Sequence, residues 1–418
     1  MEKLFSLVGN GFRRVFVRLT AVICTVLSVM GMSGPEVAFS DIRFNLALSQ
    51  EDVTWINTAY SFAIIFMIPF CSGFSKKFGR RGYLSISVII FTIASFFCGN
   101  ATGFYELVIC RFLQGIGGSG MLILSHIIIT ESWPVEKRAT SQAFFLSGLT
   151  VAGILSPVFA GYITDNYSWP FIFFVNIPGG IVACLLVLLL VKNGSDRTKE
   201  DWLHTITLAV GASGLHLWLA MGECYGWFNS LFVIAVVLLV LAGLTFFARR
   251  HATDKSQSDA TAYLRNENLR SGLILSFVIT FGIGGSSFIM TTLPGLAAQL
   301  PINPLWASVT VLTVILWTAA THIDTGKALK SLIVIGLLFF CLFIFILFRI
   351  SPAAMSAVDL IGILMLRGVA IALLSVSGNT LTLSTLEPEQ MGQGIAINNV
   401  IKQLGLALGI ALSSFHTI

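Results

Sequence analysis

Residues 171–191 carry no acidic or basic side chain, and neither do residues 335–348. A helix needs roughly 20 predominantly apolar residues to cross the hydrocarbon core of a bilayer. Runs of this kind recur along the chain and dictate its solvent before anything else. Only 11% of the 418 residues are charged and 56% are hydrophobic, against about 25% charged in a soluble domain. Such a chain has too few polar side chains to cover a water-exposed surface. The pattern predicts an all-α integral membrane protein with thirteen spans, at about 17–39, 55–74, 82–101, 105–130, 140–164, 170–191, 204–221, 228–248, 271–293, 305–321, 331–348, 358–381 and 395–415.

The net charge of +5 could suggest nucleic acid, but the positions of the charges argue for a lipid bilayer instead. Alternate connections are basic. One set holds Lys3, Arg13, Arg14 and Arg18, then Lys76, Lys77, Arg80 and Arg81, then Lys137 and Arg138. It continues with Lys192, Arg197 and Lys199, with Arg249, Arg250, Lys255, Arg265 and Arg270, and with Lys327 and Lys330. The opposite set holds only Arg43 and Arg349. Basic loops stay in the cytoplasm, so this alternation predicts a cytoplasmic N-terminus. It also supports the span count, because one missed helix would invert the sign of every later loop. Three basic residues, Arg111, Arg367 and Lys402, fall inside spans.

The apolar stretch 19–32 follows a basic region, but no small-residue cleavage site precedes a soluble domain, so an uncleaved first span is expected. The seven cysteines lie mostly within spans without metal-like spacing and read as small apolar residues. Polar connections at about 192–203 and 249–270 set off two extra spans. The chain is therefore expected as an N-terminal six-helix half (1–191), two inserted helices with cytoplasmic linkers (192–270), and a five-helix C-terminal half (271–418). A weak repeat at an offset of 256 pairs Arg111 with Arg367, Ser119 with Ser375, Glu131 with Glu387 and Gly153 with Gly409. Parallel repeats of two halves are expected of one large transporter class. The thirteenth span then lacks the partner that would complete the second half. A fourteenth helix is expected to be missing, and the C-terminus to lie outside.

Three stretches carry a resemblance. Ser72-Gly73-Phe74-Ser75-Lys76-Lys77-Phe78-Gly79-Arg80-Arg81 is similar to the loop Gly-x-Leu-Ala-Asp-Arg-x-Gly-Arg-Arg, with Lys76 in place of the acid. Arg111-Phe112-Leu113-Gln114-Gly115-Ile116-Gly117-Gly118 matches Arg-x-x-Gln-Gly-x-Gly. The stretch from Ala152 and Gly153 through Ser156 and Pro157 to Gly161 resembles Gly-x-x-x-Gly-Pro-x-x-Gly-Gly, with Ala and Ser at glycine positions. On these residues the chain resembles the major facilitator superfamily, and within it the 14-helix drug:proton antiporters. The resemblance implies a two-half helical bundle working by alternating access. It implies conformational roles for Gly73, Gly79, Arg80, Arg81, Gly115, Gly118, Ala152, Ser156, Pro157 and Gly161. It also relates Arg367, Asn399 and Lys402 to twelfth- and thirteenth-helix positions.

Inside the spans, physical chemistry narrows the candidates. An arginine facing lipid costs about 2.5–3.5 kcal/mol on a translocon scale, so Arg111 should face the bundle interior or a wet cavity. It shares a helix stripe with Gly115, Gly118, Leu122 and His126. Either Arg111, with Gln114, lines a central cavity and tunes a proton-binding carboxylate, or it anchors helices by bonding backbone carbonyls. Glu36 is the acid most clearly inside a span, and Gly31, Gly34 and Pro35 would free backbone groups beside it. It is a proton-site candidate, or else a hydrated acid near the outer end; the related proteins often place an acid near position 31 instead. Small residues on the fifth span permit close helix contact, as a hinge or as ordinary packing. Arg367, Asn398, Asn399, Lys402 and Gln403 form a polar cluster that could bind substrate or join the halves. The lone histidines His126 and His216 read as locally hydrogen-bonded, and no metal site is expected.

No phosphate-binding loop and no zinc-protease motif is present, and no soluble segment is long enough to host an active site. An enzyme is not expected. The sequence reads as a secondary active transporter of a multi-pass plasma membrane, such as a bacterial inner membrane, exporting amphipathic small molecules against protons. It would use no cofactor beyond the proton gradient, and a periplasmic adaptor protein is admitted as a partner. The alternatives are a transport-inactive receptor or scaffold derived from such a transporter, and an exporter of a metabolite or siderophore.

Overall fold

Ser49 opens the second long helix with a reciprocal cap. Its hydroxyl accepts from the Asp52 backbone N–H at 3.1 Å, and the Asp52 carboxylate accepts from the Ser49 N–H at 2.9 Å. Such a box satisfies two donors that a helix start otherwise leaves open. The computed structural model describes residues 10–193, 202–222, 224–225, 227, 230–253, 266–292, 328–349, 357–387 and 390–414. Among them are fourteen α-helices and a 3-10 turn, Val135–Lys137. They are α1 Asn10–Val37, α2 Phe39–Asn45, α3 Gln50–Phe78, α4 Arg80–Gly99, α5 Phe104–Glu131, α6 Arg138–Asn166, α7 Phe171–Phe174, α8 Asn176–Leu190, α9 Trp202–Met221, α10 Leu231–Thr253, α11 Glu267–Thr292, α12 Ala328–Arg349, α13 Ala357–Leu383 and α14 Met391–Ser414.

The chain is an all-α membrane protein. Among the described residues nine segments are long and apolar enough to cross a bilayer, on α1, α3, α4, α5, α7–α8, α11, α12, α13 and α14. Shorter apolar segments run Thr205–Met221 and Leu231–Gly243. They match two further expected spans, and the 140–164 span falls on α6. The expected span 305–321, much of the 249–270 linker and Lys3, Arg197, Lys199, Lys255, Arg265 and Lys327 lie outside the described residues.

Two expected boundaries change, each for a local reason. The expected loop around residues 75–81 is one residue, Gly79, at φ 75°, a backbone angle that favours glycine. Lys76 and Lys77 belong to the last turn of α3, where the helix dipole favours cations. The expected span 170–191 is two helices meeting at Val175. Pro178 has no N–H to offer the carbonyl of Phe174, so the helical ladder is interrupted there.

Packing divides the chain into two units, one of Met1–Ser132 with Leu155–Ala252, the other of Trp133–Ile154 with Thr253–Ile418. Contacts therefore group the segments differently from the expected 1–191, 192–270 and 271–418. The inserted α9 joins the first unit because Trp202 stacks on Phe70 and Phe74, with ring centroids 6.4 and 5.2 Å away. The start of α6 joins the second because Ala143 and Leu146 pack with Ala372 and Val376.

In the first unit α5 is central, packed on α1, α3 and α4, with α8 against α4 and α1. An apolar cluster that includes Ile42, Ile56, Leu107, Trp169 and Phe173 fills the end away from the basic loops. In the second unit α11 packs along α14 and α12 along α13. Exposed Leu338, Leu342 and Phe345 give α12 an apolar outer face, as lipid contact requires.

Candidate functional site

The glycines of α5 decide how the first unit assembles. A Cβ at Gly115 would stand 2.5 Å from the Tyr60 carbonyl oxygen and 2.7 Å from Ala63 Cβ. One at Gly117 would stand 2.5 Å from the Phe91 backbone nitrogen. Only bare backbone lets α5 approach α3 and α4 this closely. At Gly118 the same position is occupied by the Tyr60 hydroxyl.

One turn earlier, that close packing encloses Arg111 and Gln114, both 0% exposed. The Arg111 guanidinium donates from Nη1 to the Gly31 carbonyl at 2.6 Å and to Gln114 Oε1 at 2.7 Å, and from Nε to the Ile56 carbonyl at 3.1 Å. Gln114 passes the link on, its amide donating to Ser95 Oγ at 2.7 Å. The guanidinium lies over the Tyr60 ring, 4.4 Å from its centroid. A charge buried in an apolar bundle is tolerated when hydrogen bonds and an aromatic face surround it, and here Nε and Nη1 carry those bonds while Nη2 has no hydrogen-bond partner among the described residues. The acceptor at Gly31 has a specific origin. Pro35 sits four residues on in α1 and cannot donate the usual helical bond to that carbonyl, so Arg111 supplies it.

Glu36 stands on the next residue of α1, exposed at its end. Its Oε1 accepts from the Asn57 side-chain amide at 2.7 Å. No direct ion pair joins it to Arg111, although the two interact electrostatically. Arg111 thus makes the backbone bonds of the anchoring role, and Glu36 depends on Asn57 for its direct contact.

At the opposite end of the first unit Arg80 is ion-paired with Glu131, so the first turn of α4 is tied to the last turn of α5. Gly73 is buried on α3 and Arg81 is exposed. The Gly79 turn lies against the Asn193 side chain. On α6, Ala152 is buried, and Ser156 is 1% exposed and accepts from the Ser33 hydroxyl at 2.9 Å. A Cβ at Gly153 or Gly161 meets no atom within 4 Å among the described residues. Close contact on this stripe is therefore made at Ser156. Pro157 lies on α6, with its side-chain surroundings outside the described residues.

In the second unit the polar cluster has a centre that sequence reasoning missed. Asn379, 1% exposed on α13, accepts from the Asn398 amide at 3.0 Å and also from Lys402 Nζ. Asn399 turns away, donating to the Ile395 carbonyl of its own helix at 2.8 Å. Arg367 donates to the Ile283 carbonyl of α11 at 3.4 Å. The signal for Asn379 was available, an amide inside an apolar span. Asn57, Tyr60 and Ser95 carried weaker signals, because common polar residues acquire meaning only from the side chain they meet.

Arg138, at the head of α6, donates to the carbonyls of Ser384 and Leu386 at 2.8 and 2.7 Å, and to that of Leu383. It caps the end of α13, where carbonyls lack helical partners.

A model of the Major Facilitator Superfamily matches residues 21–219, the stretch that contains Arg111, Gln114 and the α5 glycines. The matched stretch is just under half of the chain, and over it the sequence is similar to this superfamily. It is 24% identical to the multidrug export protein EmrB of Escherichia coli K12, over 97% of this chain and 80% of that one. It is 26% identical to the fatty acid resistance protein FarB of Neisseria gonorrhoeae, over 97% and 81%. Among solved structures, the proton:xylose symporter XylE matches with a TM-score of 0.66 at 16% identity, over 98% of this chain and 89% of that one. The human organic anion transporter MFSD10 matches with a TM-score of 0.64 at 14% identity, over 97% and 93%. These structures share the major facilitator fold with this chain.

Proposed function

We propose that this protein is a major facilitator that exports amphipathic small molecules in exchange for protons, by alternating access, from a multi-pass position in a bacterial inner membrane with its N-terminus in the cytoplasm. The observation that carries the reading is the similarity to multidrug export proteins along nearly the whole chain, joined to an arginine fully buried among helices. A buried intramembrane charge marks a functional centre by default. Glu36 is the carboxylate proposed to exchange the proton. Asn57, which holds it, lies on α3, one turn from Tyr60 over which Arg111 stacks. Protonation of Glu36 would thereby act on the same helices that Arg111 ties together. Coupling requires that proton and substrate bind the two facing states with different affinities. Asn379, Asn398 and Lys402 are the proposed polar contacts in the second unit. No cofactor beyond the proton gradient and no enzymatic step is invoked, and a periplasmic adaptor is compatible with this role. In everted vesicles holding a pH gradient, adding lipophilic cations or neutral amphiphiles should release protons. No proton movement with any member of a broad panel would favour a transport-inactive receptor.

A further inference from the structure

A cavity of about 440 Å³ opens at the basic end of the first unit, where α1 begins and α5 and α8 end. It lies within the roughly 300–1,000 Å³ range of small-ligand pockets. Four cations line it, Arg13, Arg14, Arg80 and Lys192, against one carboxylate, Glu131. Glu131 is already paired with Arg80. Arg13 donates to the Leu190 carbonyl at 3.1 Å, which fixes its position without cancelling its charge. With Arg80 paired, the excess positive charge sits on Arg13 and Arg14 of α1 and on Lys192 just after α8, and an anion would offset the repulsion among them.

The depth of the site says which anion. The apolar run of α8 ends at Leu190, and the lining continues into Val17 and Ile128 of the spans. Cations stand at the rim and apolar side chains below, as the boundary between lipid headgroups and acyl chains demands. Basic pockets between transmembrane helices on the cytoplasmic side suit anionic headgroups. We infer that this cavity binds the phosphate of an anionic phospholipid, with Arg14 and Lys192 as its exposed contacts and Arg13 and Arg80 held in place beneath them. This goes beyond the transport reading and does not depend on it.

The test uses the full chain purified in neutral detergent and titrated with phosphatidylglycerol, phosphatidylcholine or inorganic phosphate. Thermal unfolding and native mass spectrometry report binding. Phosphatidylglycerol should raise the unfolding midpoint and stay bound, while the other two should do neither. Arg14→Gln and Lys192→Gln should each weaken binding about fivefold, and together about 25-fold. Arg14→Lys should largely restore it, and Lys77→Gln, outside the cavity, should leave it unchanged. Both neutralised positions are exposed, so the variants should fold, and gel-filtration profiles check this. Equal binding of phosphatidylcholine, or undiminished binding by the double variant, would overturn the site. Saturation by inorganic phosphate alone would overturn the lipid assignment.

Discussion

Arg111 Nη1 donates to the Gly31 carbonyl at 2.6 Å, and this bond replaces the helical one that Pro35 cannot make. The two residues are 80 apart in sequence, yet the helix break in α1 and the charge in α5 satisfy each other. Removing Arg111 alone should therefore cost more than removing Arg111 and Pro35 together. Arg111→Gln should destabilise the purified protein by about 1–3 kcal/mol, because buried carbonyls lose their donor. Adding Pro35→Ala should recover about 1 kcal/mol by returning the N–H to Gly31. A double-mutant cycle on detergent unfolding measures the coupling, and strict additivity would refute it.

The close approach of α5 to α3 predicts a sharp contrast between glycines. Gly115→Ala places a methyl 2.5 Å from the Tyr60 carbonyl oxygen and should cost about 1–3 kcal/mol by overpacking. Gly153→Ala meets nothing within 4 Å among the described residues and should be near neutral in the same unfolding assay.

Arg80 and Glu131 are partly exposed, at 31% and 22%, so their pair should contribute little to stability, about 0.2–1 kcal/mol. Its expected role is in holding one conformation. Arg80→Glu should impair transport, and the exchange Arg80→Glu with Glu131→Arg should restore part of it in drug-accumulation measurements. A swap no better than the single variant would exclude the pair as the reason.

Asn379 accepts from both Asn398 and Lys402. Asn379→Leu leaves the ammonium of Lys402 without that acceptor and should cost about 1.5–3 kcal/mol. Asn379→Asp keeps an acceptor and should retain most of the stability. Comparing the two unfolding midpoints separates loss of a bond from loss of an amide.

Glu36→Gln should abolish substrate-induced proton movement in everted vesicles while leaving substrate binding measurable. Asn57→Ala, which removes the 2.7 Å contact to Glu36, should shift the pH dependence of transport. Full coupling in Glu36→Gln would move the proton site elsewhere.

Much of the membrane architecture was legible in the chain alone. Uncharged runs specify spans because lipid offers no hydrogen bonds to an open backbone. Arg111, Gln114 and Gly115 stood out because a charge and bare backbone inside a span each need a special partner. Those partners were not legible. Tyr60, Ser95 and Asn379 are ordinary residue types, and their roles arise from contacts across helices.

The sequence by itself determined the solvent, the span pattern and the stripe of α5 that had to be buried, since these follow from local hydrophobicity and charge. Only the tertiary structure decided that Arg111 bonds the carbonyl exposed by Pro35, that Glu36 is held by Asn57, and that the head of α6 groups with the C-terminal segment. Each depends on side chains brought together from distant helices, where a carbonyl left open by one helix selects the donor carried by another.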